Sequence, residues 1–318
     1  MFKFRFFIIF MFFVISLANA SEKKLVYIVS DIRIPFWEIM SKGVKNKAKK
    51  FSYDVEVYSS SNSAKIELQN TIKAIKKNVD GIIVSPTNSS ACVTILKLAK
   101  EAKIPVIILD IGTDSGEYIS YISSDNKKGA YNIGKVLVKK MQELGYENGS
   151  VAIVAIPQKR LNGQQRTRGF LKALNEAGIK GADLKQQITW TQEETYSYTK
   201  EFILKYPNLR AVWLQGSDRY QGALDAINEL DKQKEVLLIT FDAEPEFIKL
   251  IQDETLVGSA MQQPFLMGQE AVNQFYNYFN NKKVKKNIQM PILAISKDNI
   301  EDNLLIIKRN VLGIKELK

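Results

Sequence analysis

Nine short runs rich in β-branched residues recur along this chain, most of them separated by ten to twenty residues whose apolar positions are spaced by three and four. The runs are Leu25–Val29, Val55–Tyr58, Gly81–Ser85, Pro105–Leu109, Val151–Ile156, Leu184–Trp190, Ala211–Leu214, Glu235–Thr240 and Val257–Met261. Such alternation builds parallel sheets covered on both faces by helices. The stretch Lys24–Phe51 sets the pattern: an apolar strand, a polar loop, then a helix opened by Pro35 with Phe36, Met40, Gly43, Val44, Ala48 and Phe51 on one face. In an open parallel sheet such a loop lies at the carboxyl end of the strand, where ligands collect.

The units fall into two arrays. The first ends near Ile122 and the second begins with the helical stretch Ile133–Leu144 and Val151, without a low-complexity linker between them. A long helix over Gly268–Phe279 and an extended segment Met290–Ile295 follow. Two similar α/β lobes joined by short crossings place a ligand cleft between them, closed by a hinge.

Lys3 and Arg5 precede an apolar run to Leu17, and Ala18-Asn19-Ala20 offers the small residues a signal peptidase reads. The reading is export with cleavage after Ala20. No cysteine follows the run, and the one cysteine, Cys92, sits in a helical pattern as a small buried hydrophobe. The chain has no histidine, no GxSxG elbow and no P-loop, which leaves no recognisable catalytic set. The formal charge of +11 falls to +9 once Lys3 and Arg5 leave with the leader, and the excess lies outside residues 124–256. A solvated basic face is the ordinary meaning of such lysines, and an exported protein has no evident nucleic-acid partner.

Eight segments, taken in order, resemble the periplasmic sugar-binding proteins of the ribose/galactose type, which share the fold of LacI-type effector domains. They are IPFWEIMSKGVKNKAKK, DGIIVSPTNSSA, IPVIILD, YISSDNKKGAYNIG, RTRGF, YPNLRAVWLQGSDRYQGALDAI, LLITFDAEPE and VGSAMQQPFLMGQEAV. The resemblance covers the whole chain after the leader. It implies the type I periplasmic-binding-protein fold, with crossings near Ile122–Ser124, Ala260–Gln263 and Met290–Ile292. One lobe would comprise residues 21–123 and 262–289, the other 124–261 and 290–318.

Carried over by motif, the ligand would meet Phe36 and Trp37, Asp110, Gln164 or its neighbours Arg166 and Arg168, Trp190, Gly216 or Ser217, Asp242 and Gln262. Flat aromatics for sugar C–H faces and carboxylates and amides for hydroxyls are the chemistry such a ligand needs. Simpler readings exist for each: Phe36 begins the apolar stripe, Trp190 fits as a cap on the second core, and a strand-ending Asp often only forms a turn. Arg166 and Arg168 open a helix, where cations are unfavourable unless an acceptor offsets them.

The chain departs from the ribose pattern at Ile34, Ile111 and Gly216-Ser217, where that pattern has polar residues, so the expected ligand is a less hydroxylated sugar, a sugar derivative or another small polar molecule rather than ribose. The implied function is delivery of the ligand to a membrane ABC permease. The rival is presentation of the bound form to a sensor histidine kinase or chemoreceptor. Neither role calls for a cofactor or metal, and the expected state is a monomer.

Overall fold

The computed structural model describes residues 22–314. The proposed leader, residues 1–20, lies outside them.

The chain first lays down β1 (Lys24–Val29), α1 (Pro35–Lys50), β2 (Asp54–Ser59), α2 (Ala64–Lys76), β3 (Gly81–Ser85), α3 (Ser89–Glu101), β4 (Val106–Leu109) and β5 (Ser120–Ser124). It then builds α4 (Asn126–Glu143), β6 (Ser150–Ala155), α5 (Leu161–Glu176), β7 (Lys180–Gln186), α6 (Gln192–Lys205) and β8 (Leu209–Leu214). This second array continues through α7 (Tyr220–Glu229), β9 (Leu237–Phe241), α8 (Phe247–Gln252) and β10 (Gly258–Met261). It ends with α9 (Pro264–Phe279), β11 (Asn287–Met290), β12 (Leu293–Ser296), α10 (Ile300–Ile306) and a π-helical turn, Ile307–Val311.

Among the described residues the strands form two sheets of the same plan, β11-β5-β4-β3-β1-β2 and β12-β10-β9-β8-β6-β7. All pairings are parallel except β10 with β12. The central strands are continuous apolar runs because both faces are covered: β3 and β4 are buried throughout. The fold is therefore the expected two-lobed α/β architecture.

The strand expected at Leu184–Trp190 is instead β7, Lys180–Gln186. It is an edge strand whose side chains are mostly half or fully exposed, so its residues carry little of the apolar signal by which buried strands are found. The shift leaves Trp190 in the loop before α6, at φ +61°. Ile122–Ser124, near which the sequence places a crossing, is the end of strand β5, with Ser120, Ile122 and Ser124 turned inward, and the passage follows directly after it. The extended segment Met290–Ile295 is divided between β11 and β12, which belong to different sheets.

The chain passes between the sheets after β5, after β10 and between β11 and β12. These passages are tied to one another. Asp125 N–H donates to Met290 O at 3.0 Å, Gln263 Nε2 donates to Pro291 O at 2.9 Å, and Asn310 Nδ2 donates to Gln263 Oε1 at 2.7 Å. The buried amide of Gln263 thus couples the second passage to the third and to the closing turn.

Candidate functional site

The carboxyl ends of both sheets converge on one narrow polar cleft. Two of its carboxylates occupy equivalent places. Asp110 follows β4 and Asp242 follows β9, which hold the same position in the two sheet orders. Both adopt the left-handed conformation, at φ +61° and +71°. Both donate their backbone N–H at 2.9 Å to the next strand, Asp110 to Ile122 O and Asp242 to Ala260 O. Asp and Asn tolerate that conformation better than other residues with a Cβ, so backbone geometry and side-chain chemistry select the same residue type.

Around Asp242 the polar groups interlock. Gln262 Nε2 donates to Asp242 Oδ1 at 2.6 Å, and Arg166 Nη1 approaches Oδ2 at 3.4 Å. Arg166, buried on α5, also donates to Asn126 Oδ1 at 2.9 Å and to Gln215 O at 2.6 Å, with its guanidinium carbon 3.7 Å from the Phe241 ring centre. Orienting the Gln262 amide nitrogen toward a carboxylate turns its oxygen away, and that buried oxygen has no partner. Asp110 accepts a long hydrogen bond from Asn162 Nδ2, 3.4 Å across the cleft, while its other oxygen is also buried and unpaired.

Burial pushes Asp110 up to about 6, against the opposing pull of Arg166, and pushes Asp242 up as well. Burial likewise raises Glu67 and Glu244 to about 7 and lowers Arg160 to about 10. Glu67 accepts from the Thr87 backbone N–H at 2.7 Å and from its hydroxyl at 3.1 Å, with Arg160 the nearest cation in its field. An acid whose folded value exceeds its unfolded one stabilises the fold fully below the unfolded value and loses that contribution as pH rises through the folded value. For Glu67 the window runs from 4.5 to about 7. Glu67→Gln is thus expected to raise the thermal midpoint relative to the parent at pH 8 and to lose that advantage at pH 5, by about 1–3 kcal/mol between the two. Equal midpoint differences at both pH values would contradict it.

Of the residues expected at a site, Phe36, Trp37, Asp110, Trp190, Gly216, Asp242 and Gln262 line this cleft, as does Arg166. Trp37 is only 4% exposed and belongs equally to the first core, meeting Phe36 edge-on at 4.9 Å. Trp190 is flanked by two guanidinium groups, Arg160 at 5.2 Å and Arg219 at 4.8 Å.

Three expected residues point elsewhere. Gln164 hydrogen-bonds Gln158 O at 3.0 Å, and Arg168 is exposed on α5. Each is two residues from Arg166, and i,i+2 neighbours face opposite sides of a helix. Ser217 is buried but turned to Glu244, donating to its Oε1 at 2.8 Å.

Sequence reasoning missed Arg160, Asn162, Gln215 and Asp218. Asn162 stands four residues before Arg166, and that spacing would have located it on the same helix face. Helices α1, α5 and α7 begin at Ile34, Arg160 and Arg219 without a side-chain cap, whereas α2, α3, α4 and α6 are capped by Ser63, Asn88, Asp125 and Thr191. Ile34, Arg160 and Asp218 border the cleft, and side chains from within or beside the helices take some of the first N–H groups: Gly163 N–H donates to Asn162 Oδ1 at 2.9 Å and Gly222 N–H to Gln192 Oε1 at 2.8 Å.

Two sheets of one plan, three tied passages and a polar cleft at their carboxyl ends define a two-lobed binding protein. The chain belongs to the periplasmic binding protein domain family, whose model matches residues 25–283. It is 28% identical over 284 residues to the ribose import binding protein of Bacillus subtilis, covering 86% of this chain and 88% of that one. A solute-binding protein of an ABC transporter from Actinobacillus succinogenes, solved with bound D-allose, superposes with a TM-score of 0.82 at 23% identity, over 88% of this chain and all of that one. A carbohydrate transporter solute-binding protein from Agrobacterium radiobacter, in complex with D-arabinose, gives 0.83 at 21% identity, covering 92% of this chain and all of its own. At these identities the two structures establish the fold.

Proposed function

We propose that this chain is an exported solute-binding protein whose lobes close on a small sugar-like ligand and deliver it to a membrane ABC importer. The observation that carries the reading is the pair of buried, unpartnered acceptors at the cleft, Asp110 Oδ1 at the end of β4 and Gln262 Oε1 in the passage after β10. Leaving a buried acceptor unmade costs roughly 1–3 kcal/mol, and the hydroxyls of a sugar supply the missing donors. Phe36 and Trp37 offer apolar surface to the C–H faces.

The family match and the import binding proteins among the relatives support the importer role over presentation to a sensor kinase. In this reading the leader is cleaved after Ala20, the lobes are residues 21–123 with 262–289 and 124–261 with 290–318, the protein acts as a monomer, and no catalysis is required. Ile34 and Ile156 give part of the cleft an apolar wall, which favours a ligand other than ribose.

A thermal-shift screen of residues 21–318 against pentoses, hexoses, polyols and sugar acids tests the reading. A ligand binding only the folded state at a hundred times its Kd adds about 2.7 kcal/mol, a rise of roughly 5–10 °C for lobes of this size. Silence across every sugar and polyol would overturn the sugar assignment.

A further inference from the structure

Two arginines at the cleft are paired with carboxylates. Arg166 faces Asp242 at 3.4 Å, and Arg219 holds Asp218 at 2.6 Å. Arg160 stands apart: its guanidinium borders the cleft against Trp190, and among the described residues it donates no side-chain hydrogen bond and has no carboxylate within ion-pair distance. It is also the residue that opens α5, where the helix dipole disfavours a cation. Asp110 and Glu67 are the acids in its field, neither within ion-pair distance: Glu67 is held by Thr87, and Asp110 is met on one oxygen only, by Asn162 at 3.4 Å.

Closure around a ligand removes water, and a guanidinium left without acceptors in a closed site is costly. A planar fork of N–H donors is matched best by two oxygens of one carboxylate. The same cleft holds the unpaired oxygens of Asp110 and Gln262, which need donors. We propose that the cleft selects an acidic sugar, with its carboxylate on Arg160 and its hydroxyls on Asp110 and Gln262. The inference rests on the sugar-binding reading and adds the ligand's charge.

Calorimetric titration of residues 21–318 with matched pairs tests it: D-ribose and D-ribonate, D-glucose and D-glucuronate, D-galactose and D-galacturonate. At least one acid should bind about tenfold or more tightly than its neutral partner, and added salt should weaken the acid more. Arg160→Ala should cut acid affinity by about tenfold or more beyond whatever it costs neutral binding, with Arg160→Lys in between. Thermal midpoints of both variants report whether the fold is kept.

Three results would overturn the proposal. They are a neutral sugar preferred to its acid, acid affinity unchanged by Arg160→Ala, or neutral affinity raised by it, which would make Arg160 an occupant of the site rather than a reader of the ligand. Binding of neutral sugars alone sinks this inference and spares the sugar-binding reading. Failure of every sugar, neutral and acidic, sinks both.

Discussion

Asp242→Asn is expected to weaken ligand binding by roughly 30-fold to a few thousand-fold, the about 2–5 kcal/mol that follows removal of one member of a buried, hydrogen-bonded charge pair. Asparagine accepts the left-handed backbone at this position, φ +71°, so the variant removes charge without straining the chain. What it leaves behind is Arg166, whose remaining partners, Asn126 Oδ1 and Gln215 O, are uncharged. Asp242→Ala should bind as poorly and also be less stable, because alanine in that conformation costs about 1–2 kcal/mol more. Calorimetry with the ligand found by screening, paired with thermal unfolding of both variants, separates the two effects. A change in Kd below about threefold for Asp242→Asn would place the ligand away from the β9 end of the cleft.

The second large effect concerns stability. Helices α1 and α9 approach so closely that a Cβ on Gly268 would collide with the Met40 carbonyl oxygen and lie 2.8 Å from Val44 N. On the facing helix, a Cβ on Gly43 would strike the Phe265 carbonyl. The obstacle on both sides is backbone, which cannot rotate aside, so relief requires the helices to separate over the whole of the first core. Gly268→Ala should therefore cost about 3 kcal/mol, the upper part of the range for overpacking, and lower the thermal midpoint by roughly 6–12 °C. Circular dichroism melts would show it, and a shift under about 2 °C would mean the helix pair has room to spare.

The two-lobed plan is legible in the sequence because buried parallel strands advertise themselves: Gly81–Ser85 is apolar up to its last residue, and the strand has the bounds its pattern predicts. Strands held mainly by edge pairing are not legible in this way. β7 reads KGADLKQ, with no apolar run, and β11 reads NIQM, an alternation only four residues long and too short to stand out. The cleft divides along the same line. Asp110 and Asp242 stand at the ends of strands that the apolar pattern locates, so their place at the carboxyl edge of a sheet follows from the residues alone. Arg160 and Asn162 lie at a helix start whose rotation about its own axis is not fixed until α5 packs on α4. A motif names the helix but not which of its neighbours turns inward, and Gln164 and Arg168 accordingly lie off the face that meets the cleft.

The matched carboxylates have a consequence for affinity. Each sheet presents one of them from an equivalent left-handed residue, braced by the same hydrogen bond to the next strand. The cleft is thus two half-sites on one chain, and the second is recruited by a tethered, intramolecular step. Overall binding then equals a weak first contact multiplied by an effective concentration, and that concentration is set by the passages that join the sheets. The amide of Gln263, held between Pro291 and Asn310, is part of those passages and does not line the cleft. Selectivity resides in the cleft, whereas the strength of capture is a property of the strap behind it.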